Sequence, residues 1–349
     1  MNSLDTVFVT GGSGFVGRSL IPALVADGYQ VRAIARSKRA ASIVTELGAV
    51  VVAGDLSDAG ALTTAMTGCP LVVHAAARVE QGGPAADYYT HNVAGTQTML
   101  AAARAAGVHR FVSVGAAMCL LGGKPIIDAD ESWPMHQPRY SGYVTTKTVA
   151  DQAVRAASRP GFATCVIRPA WVWGPDDPQL DAITTATHTG KMMFIDHGSH
   201  PIVTSHIDNV VHAIALALRH KDVSGQAFFV FDDDTITAGE FITRLLASRG
   251  LTAPSRSIPY PIARTIASTM ESVWRMLRRP GAPPISRLLV ELNGRPFVVS
   301  DRKARTELGY QQVISRDEGI ARLHGASAIN RLERQDIQST DDGRDHATK

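Results

Sequence analysis

Charge of one sign is scarce in this chain. Lysine and arginine number 35 against 32 aspartates and glutamates across 349 residues, a formal net charge of +3. The excess is too small and too scattered to supply the basic footprint that nucleic acid requires. Cysteine is scarcer still. Cys69, Cys119 and Cys165 form no Cys-x-x-Cys pair and no even framework, so they read as buried thiols in a reducing, cytoplasmic setting. No apolar run approaches the length of a membrane span. Met1-Asn-Ser-Leu-Asp5 lacks the basic and apolar regions of a signal peptide. His188, His197, His200, His206 and His212 have no metal-ligand spacing and no partner cysteine, so no metal site is expected. What remains is a chain, 45% hydrophobic, long enough for one large α/β unit and a smaller lobe.

The large unit begins at once. Thr6-Val-Phe-Val-Thr10 is a short β-branched run that predicts a buried strand. Gly11-Gly-Ser-Gly-Phe-Val-Gly17 follows, and then an apolar helix. A glycine loop between a strand and a helix points to a dinucleotide. Gly11 suits a tight turn, Gly14 a close approach by pyrophosphate, and Gly17 close packing of helix on strand, with the helix N-terminus facing the phosphates. The spacing fits both Gly-x-x-Gly-x-x-Gly and, from Gly12, Gly-x-Gly-x-x-Gly, so the glycines alone do not separate related dinucleotide folds.

The second strand, Gln30–Ala35, lacks a terminal carboxylate. An acid there would bond the adenosine ribose and repel a 2′-phosphate. Ala35 is followed instead by Arg36-Ser-Lys-Arg39. Arginine takes phosphate through parallel bonds, so NADP is expected over NAD, with Arg36 as the phosphate ligand. Further strands are predicted at 49–53, 71–74, 110–114, 163–168 and 226–230, alternating with helices. That alternation implies a doubly wound, Rossmann-type parallel sheet with its ligand crevice at the strands' carboxyl ends. Asp55 and Leu56 follow the third strand, where Asp55 can accept from the adenine amino group. Ala75, Ala76 and Ala77 follow the fourth and let a cofactor lie against backbone. His74 is expected to be a packed residue.

Tyr143 and Lys147 stand four residues apart, hence one turn apart on a shared helix face. A phenol near pKa 10 is a poor acid or base at neutral pH, and a neighbouring ammonium brings it toward useful range. Taken with Thr10–Gly17, Gly54-Asp-Leu56, His74–Ala77, Asn92-Val-Ala-Gly-Thr96, Arg168–Pro175, His206–Val210 and Asp301–Tyr310, this pair makes the chain resemble the extended short-chain dehydrogenase/reductase family. Within that family it is most similar to the 3β-hydroxysteroid dehydrogenase-like branch. The resemblance covers about residues 5 to 310. It implies Tyr143 as acid/base, Lys147 as the ribose ligand that lowers the tyrosine pKa, and Asn92 as holder of the active-site helix and its water. It implies cofactor contacts from Gly11, Gly14, Phe15, Val16, Gly17, Arg36, Asp55, Leu56, Ala75, Ala76, Ala77, Tyr143, Lys147 and Pro169. It also implies a homodimer through the helices carrying Asn92 and Tyr143.

One residue departs from the family pattern. The Ser or Thr expected just past the fifth strand is Ala116 in Val114-Gly-Ala-Ala-Met118. A methyl group donates no hydrogen bond, and losing such a donor costs about 10²–10³ in rate by analogy with oxyanion holes. Three accounts are open: Ser113, Ser141 or Thr145 supplies the hydroxyl, the substrate needs no such donor, or the site is catalytically poor.

In the second half, Trp171 and Trp173 read as core or as walls of an apolar pocket, and Thr237-Ala-Gly-Glu240 as a capping box. Ile262, Ile266, Met270, Val273, Trp274 and Leu277 recur at helical spacing, with Arg264, Arg275, Arg278 and Arg279 off that stripe or at its end. The favoured expectation packs this stripe on the protein itself; a membrane surface is the alternative. The expected domains are 1–170 with 203–235 for the nucleotide, and 171–202 with 236–320 for a substrate lobe; 325–349 reads as a disordered tail. The expected activity is hydride transfer between a nicotinamide cofactor and a hydroxyl or keto carbon on a small, mainly apolar, possibly steroid-like substrate. Two alternatives are carried: a sugar-nucleotide epimerase or dehydratase, and a low-turnover NADP sensor.

Overall fold

The computed structural model describes residues 5–79, 84–277, 279 and 281–325. The tail expected over 325–349 lies almost wholly outside the described residues. Seven parallel strands form the main sheet, in the order 226–230, 163–169, 110–114, 71–74, 6–10, 30–35, 50–53. The chain starts mid-sheet, runs to one edge, then returns and runs to the other. The order therefore reverses between Thr6–Thr10 and Leu71–His74, which are in register from Val7 opposite Leu71 to Thr10 opposite His74. In a doubly wound sheet the ligand crevice opens at that switch point, beyond the strands' carboxyl ends.

The strands read as continuous apolar runs because helices cover both faces. On one face Leu20, Ile21 and Leu24 of the helix Phe15–Ala26 pack with Val210, Ile214 and Ala217 of Ile207–Arg219. On the other face Leu62, Met66, Met99, Ala103 and Val154 belong to helices 59–66, 95–105 and 142–156. The expected helix around 88–106 is not uniform. Tyr89–Ala94 is wound as a π-helix before the α-helix Gly95–Ala105, and such π segments are frequent at functional sites.

A smaller four-stranded sheet orders 236–237, 201–202, 297–299 and 126–129. Its core joins Trp173, Phe229, Phe241, Leu245 and Val299. The strand Ile126–Ala129 pairs here with Phe297–Val299, so a stretch before residue 170 builds the smaller sheet. Conversely, Ala304, Leu308 and Tyr310 pack into the large sheet's core. Tyr310 donates from its hydroxyl to the Phe231 carbonyl at 2.9 Å, just past the strand 226–230.

The helix Tyr260–Met276 departs from the favoured expectation. Its buried residues are Ala263 and Ala267, while Ile262, Ile266, Val273 and Leu277 are exposed. Two alanines one turn apart let the helix approach Val290 and Ile195 closely, and the large side chains are left on the outer flank.

Candidate active site

The glycine loop forms where the sheet order reverses. Gly11 has φ 72°, and a Cβ there would stand 2.7 Å from the Ala75 carbonyl carbon and the Ala76 nitrogen. The loop and the 75–77 segment therefore press together backbone to backbone. Thr10 ties them: its hydroxyl and His74 Nδ1 are 2.7 Å apart, and it accepts from the Ala76 N–H at 3.2 Å. His74 is thus a packed residue; burial pushes its imidazole down to about 3, so it stays neutral. A Cβ on Gly17 would fall 2.3 Å from the Gly11 carbonyl oxygen, which explains glycine where helix meets loop. Gly14 is exposed and forms the N-cap of Phe15–Ala26, a first turn with no acidic residue. Phe15 and Val16 flank that open end, half-buried. The unsatisfied N–H groups and the helix dipole there fit a pyrophosphate. Arg18, passed over in the sequence reading, lies in this same turn, its Nε donating to the Ser13 carbonyl at 3.0 Å. A cation opposing the helix dipole was the available signal.

The side chains that follow the second and third strands are largely exposed. Arg36 is exposed beyond Ala35, and Ser37 caps the next helix by accepting from the Ala40 N–H at 3.2 Å. Asp55 accepts from the Ser57 N–H at 3.0 Å. That bond first, and the nearby Arg36 guanidinium to a lesser degree, hold its carboxyl below the usual range. Leu56 is half-buried against Gly95.

Asn92 sits in the π-helix and is buried. Its Oδ1 accepts from the Arg78 N–H at 2.7 Å, while its Nδ2 donates to the Arg78 carbonyl at 3.2 Å and to Thr146 Oγ1 at 3.1 Å. One amide thus clamps the segment after Ala77 to the helix Gly142–Ala156. Thr146 was the missed partner, placed between Tyr143 and Lys147.

That helix starts at Ser141, whose hydroxyl accepts from the Val144 N–H at 3.2 Å. Tyr143 is half-buried one turn before Lys147. Lys147 donates from Nζ to the Val114 carbonyl at 2.6 Å, at the end of the fifth strand. One further turn on, buried Asp151 receives Arg168 at 2.7 Å on each oxygen. Pro169, next to Arg168, closes its strand and is buried. Tyr143, Lys147 and Asp151 therefore share a face at successive i, i+4 steps. Asp151 was missed, although that spacing is visible in the sequence.

The expectation that Lys147 makes the phenol more acidic is not met in this geometry. Burial, with the Tyr88 phenol and Cys119 thiol beside it, pushes Tyr143 up to about 12. Burial also pulls Lys147 down to about 8, against the opposing pull of Asp151. The amine is committed to a carbonyl, and desolvation dominates both groups. At neutral pH the phenol is protonated and the amine largely charged, which suits donation of a proton to a substrate oxygen.

The three alternative hydroxyls are placed differently. Ala116 is buried. Ser141 is used as the cap, and Thr145 donates to the Pro138 carbonyl at 3.0 Å. Ser113 lines a cavity of about 10 Å³ with His74, Asn92, Thr96, Lys147 and Asp151, room for one water. Trp173 is core, donating to Asp232 at 2.7 Å, whereas Trp171 is half-buried, edge-on to Phe241. All three cysteines are free and buried.

Parallel sheet, open helix N-terminus at the switch point and Tyr–Lys pair over the neighbouring strand define an extended short-chain dehydrogenase/reductase. Within that class, the model of the 3-beta hydroxysteroid dehydrogenase/isomerase family matches residues 8–261, and the chain belongs to that family. It is 39% identical over 320 residues to the 4-hydroxy-2-methyl-3-oxo-4-farnesyl-3,4-dihydroquinoline-1-oxide ketoreductase of Stigmatella aurantiaca, covering 91% of this chain and 96% of that one. It is 33% identical to the 2-alkyl-3-oxoalkanoate reductase of Stenotrophomonas maltophilia, covering 92% and 99%. Among solved structures, gox2253 superposes with a TM-score of 0.74 at 26% identity, over 92% of this chain and 99% of that one. The dTDP-glucose 4,6-dehydratase DesIV of Streptomyces venezuelae, at 24% identity and TM-score 0.73 over 93% and 98%, shares the fold. The chain is a nicotinamide-dependent oxidoreductase acting on hydroxyl and keto groups.

Proposed function

We propose that this enzyme reduces a ketone on an apolar substrate with NADPH, Tyr143 donating the proton. The observation that carries this reading is the Tyr143–Lys147–Asp151 face, anchored to the Val114 carbonyl beside the glycine-loop crevice. Gly11, Gly14, Phe15, Val16 and Gly17 would hold the pyrophosphate, Asp55 and Leu56 the adenine, and Ala75 to Ala77 and Pro169 the remaining length. The cofactor supplies the hydride. The chain's own residues orient the ketone and pass a proton from Tyr143 Oη to the carbonyl oxygen, while Lys147 holds positive charge beside it. Asn92 is a positioning residue, keeping helix and loop in register. The apolar substrate class is supported by the farnesyl and alkyl groups in the relatives' names. A sugar diphosphate is disfavoured because 171–202 offers only Lys191 as a cationic side chain besides its histidines.

NADP rather than NAD is supported by Ala35 and the exposed Arg36; Arg36→Ala should weaken NADPH binding several-fold and leave NADH unchanged. A homodimer through helices 95–105 and 142–156, in a cytoplasmic setting, is part of the same proposal, and sedimentation of the purified chain checks the dimer. So is a division near 170, 203 and 235 into nucleotide and substrate units, with 126–129 joining the substrate unit and 304–310 the nucleotide unit.

Purified protein, NADPH and a panel of apolar ketones test the main reading. NADPH consumption with at least one ketone is expected. Tight NADPH binding with no consumption would favour the sensor, which Ala116 specifically motivates. Ala116→Ser separates the two further. Restoring the hydroxyl should raise the rate, by up to about 10²-fold if the donor is the missing element.

A further inference from the structure

The helix Tyr260–Met276 leaves an apolar stripe uncovered. Ile262, Ile266, Val273 and Leu277 are 52%, 40%, 37% and 54% exposed, and Met276 at the same end is 75% exposed. Their spacing of four, seven and four residues puts the first four on one face. Single exposed apolar residues are ordinary, but four on one helix face call for a contact.

The surrounding charge says what the row meets. Residues 260–295 hold six arginines (264, 275, 278, 279, 287, 295) against two glutamates (271, 291), a net of +4, where the whole chain carries +3. Both glutamates are already engaged. Glu271 accepts from the Arg287 N–H at 2.7 Å and from its Nε at 2.9 Å. Glu291 lies 3.5 Å from Arg264 and 3.4 Å from Arg295, and accepts from the Tyr260 hydroxyl at 2.8 Å. Among the described residues Arg275 has no acidic partner, and Arg279 lies 5.1 Å over the Trp274 ring. An apolar face with arginines on the opposite flank and at one end is the pattern of a helix lying in a bilayer interface. No helix among the described residues is long and apolar enough to cross a membrane.

The helix is linked toward the Tyr143 helix through the next helix, Arg287–Asn293. Arg287, paired with its Glu271, lies 5.0 Å over the Tyr140 ring, three residues before Tyr143. We propose that the face formed by Ile262, Ile266, Val273 and Leu277 seats the enzyme on an anionic phospholipid bilayer, with the Tyr143 crevice opening toward the lipid. The role as a route for lipophilic ketone rests on the function proposed above; the docking itself does not.

The test is co-sedimentation of the full chain with vesicles of phosphatidylcholine alone or mixed with phosphatidylglycerol, without ketone. Binding to mixed vesicles is expected to exceed binding to the neutral ones about tenfold and to weaken with salt. Ile266→Asp with Val273→Asp, both at exposed positions, should abolish binding while circular dichroism, melting and NADPH affinity stay unchanged. Arg275→Glu with Arg279→Glu should remove the preference for anionic vesicles. Equal sedimentation of the wild type and the Ile266/Val273 variant would overturn the proposal, as would no sedimentation with either vesicle. A dimer dissolved by those same two substitutions would overturn it too, showing a second copy on this face. Failure of ketone reduction with vesicle binding intact would count against the proposed activity and leave the docking standing.

Discussion

The two sheets of this molecule follow different building rules. In the large one, strands of four to seven residues run parallel with unbroken registers, so their carboxyl ends lie along one edge. In the small one, strands of two to four residues come from distant parts of the chain, one pairing is antiparallel, and a register shift interrupts Phe297–Val299. Polar groups differ likewise. Near the crevice Asn92, Lys147 and Asp151 are buried and hydrogen-bonded, and buried Arg168 grips Asp151 through Nε and Nη2 while its Nη1 has no hydrogen-bond partner among the described residues. In the lobe, Arg264, Arg287 and Arg295 reach their glutamates from half-exposed or exposed positions. The part that carries the Tyr143–Lys147–Asp151 face has over-determined geometry, and the smaller sheet is assembled from short, replaceable pieces. That division is what loops and lobes on a rigid scaffold allow.

The largest effect expected is on turnover. Tyr143→Phe should lower kcat about 10²–10⁴-fold while NADPH affinity holds within about twofold; unchanged turnover would place the chemistry outside the rigid half and break the contrast. Next in size is stability. Asp151→Asn leaves the Arg168 guanidinium buried beside a neutral amide, and removing one partner of such a pair costs about 3–5 kcal/mol, readable by urea denaturation. Glu271→Gln in the lobe should cost about 1 kcal/mol or less, because its partner Arg287 is partly solvated. Equal losses would erase the difference between the halves.

A third outcome concerns pH. Lys147 is pulled down to about 8, so it gives up its charge well below an ordinary lysine. Ketone reduction should therefore fall on the alkaline side of about pH 8, while Tyr143, pushed up to about 12, stays protonated throughout. Lys147→Arg should remove that alkaline limb, since guanidinium keeps its charge. A second pH effect lies at Asp177, which caps the lobe helix Pro178–His188 by accepting from the Gln179 N–H at 2.8 Å. Burial pushes its carboxyl up to about 7. The unfolded chain ionises near 4, so between those values the folded state binds the extra proton and stability falls as pH rises. Asp177→Asn keeps the cap and should raise the melting temperature above about pH 7, with the gain shrinking toward pH 4.

Much of the crevice was legible beforehand because its parts have short-range signatures. Gly11 and Gly17 mark places where any Cβ would strike backbone, and Tyr143 with Lys147 declares a shared helix face. Asp151 extended that same face and was overlooked. Arg168 and Thr146 could not be assigned, because their partners lie 17 and 54 residues away, across elements whose approach no local pattern encodes. The stripe from Ile262 to Leu277 misled for a related reason: helical periodicity shows that a face is apolar, but not whether another element covers it.

The amino-acid order alone determined the parallel sheet, the glycine loop between strand and helix and the placing of a phenol and an amine on one helical turn, since each follows from spacing along a single element. Folding in three dimensions decided that Lys147 reaches the Val114 carbonyl, that burial pushes the Tyr143 phenol up rather than down, and that Ala263 and Ala267 rather than the larger side chains anchor their helix. Those outcomes depend on desolvation and on which surfaces meet, quantities that exist only once distant segments have packed.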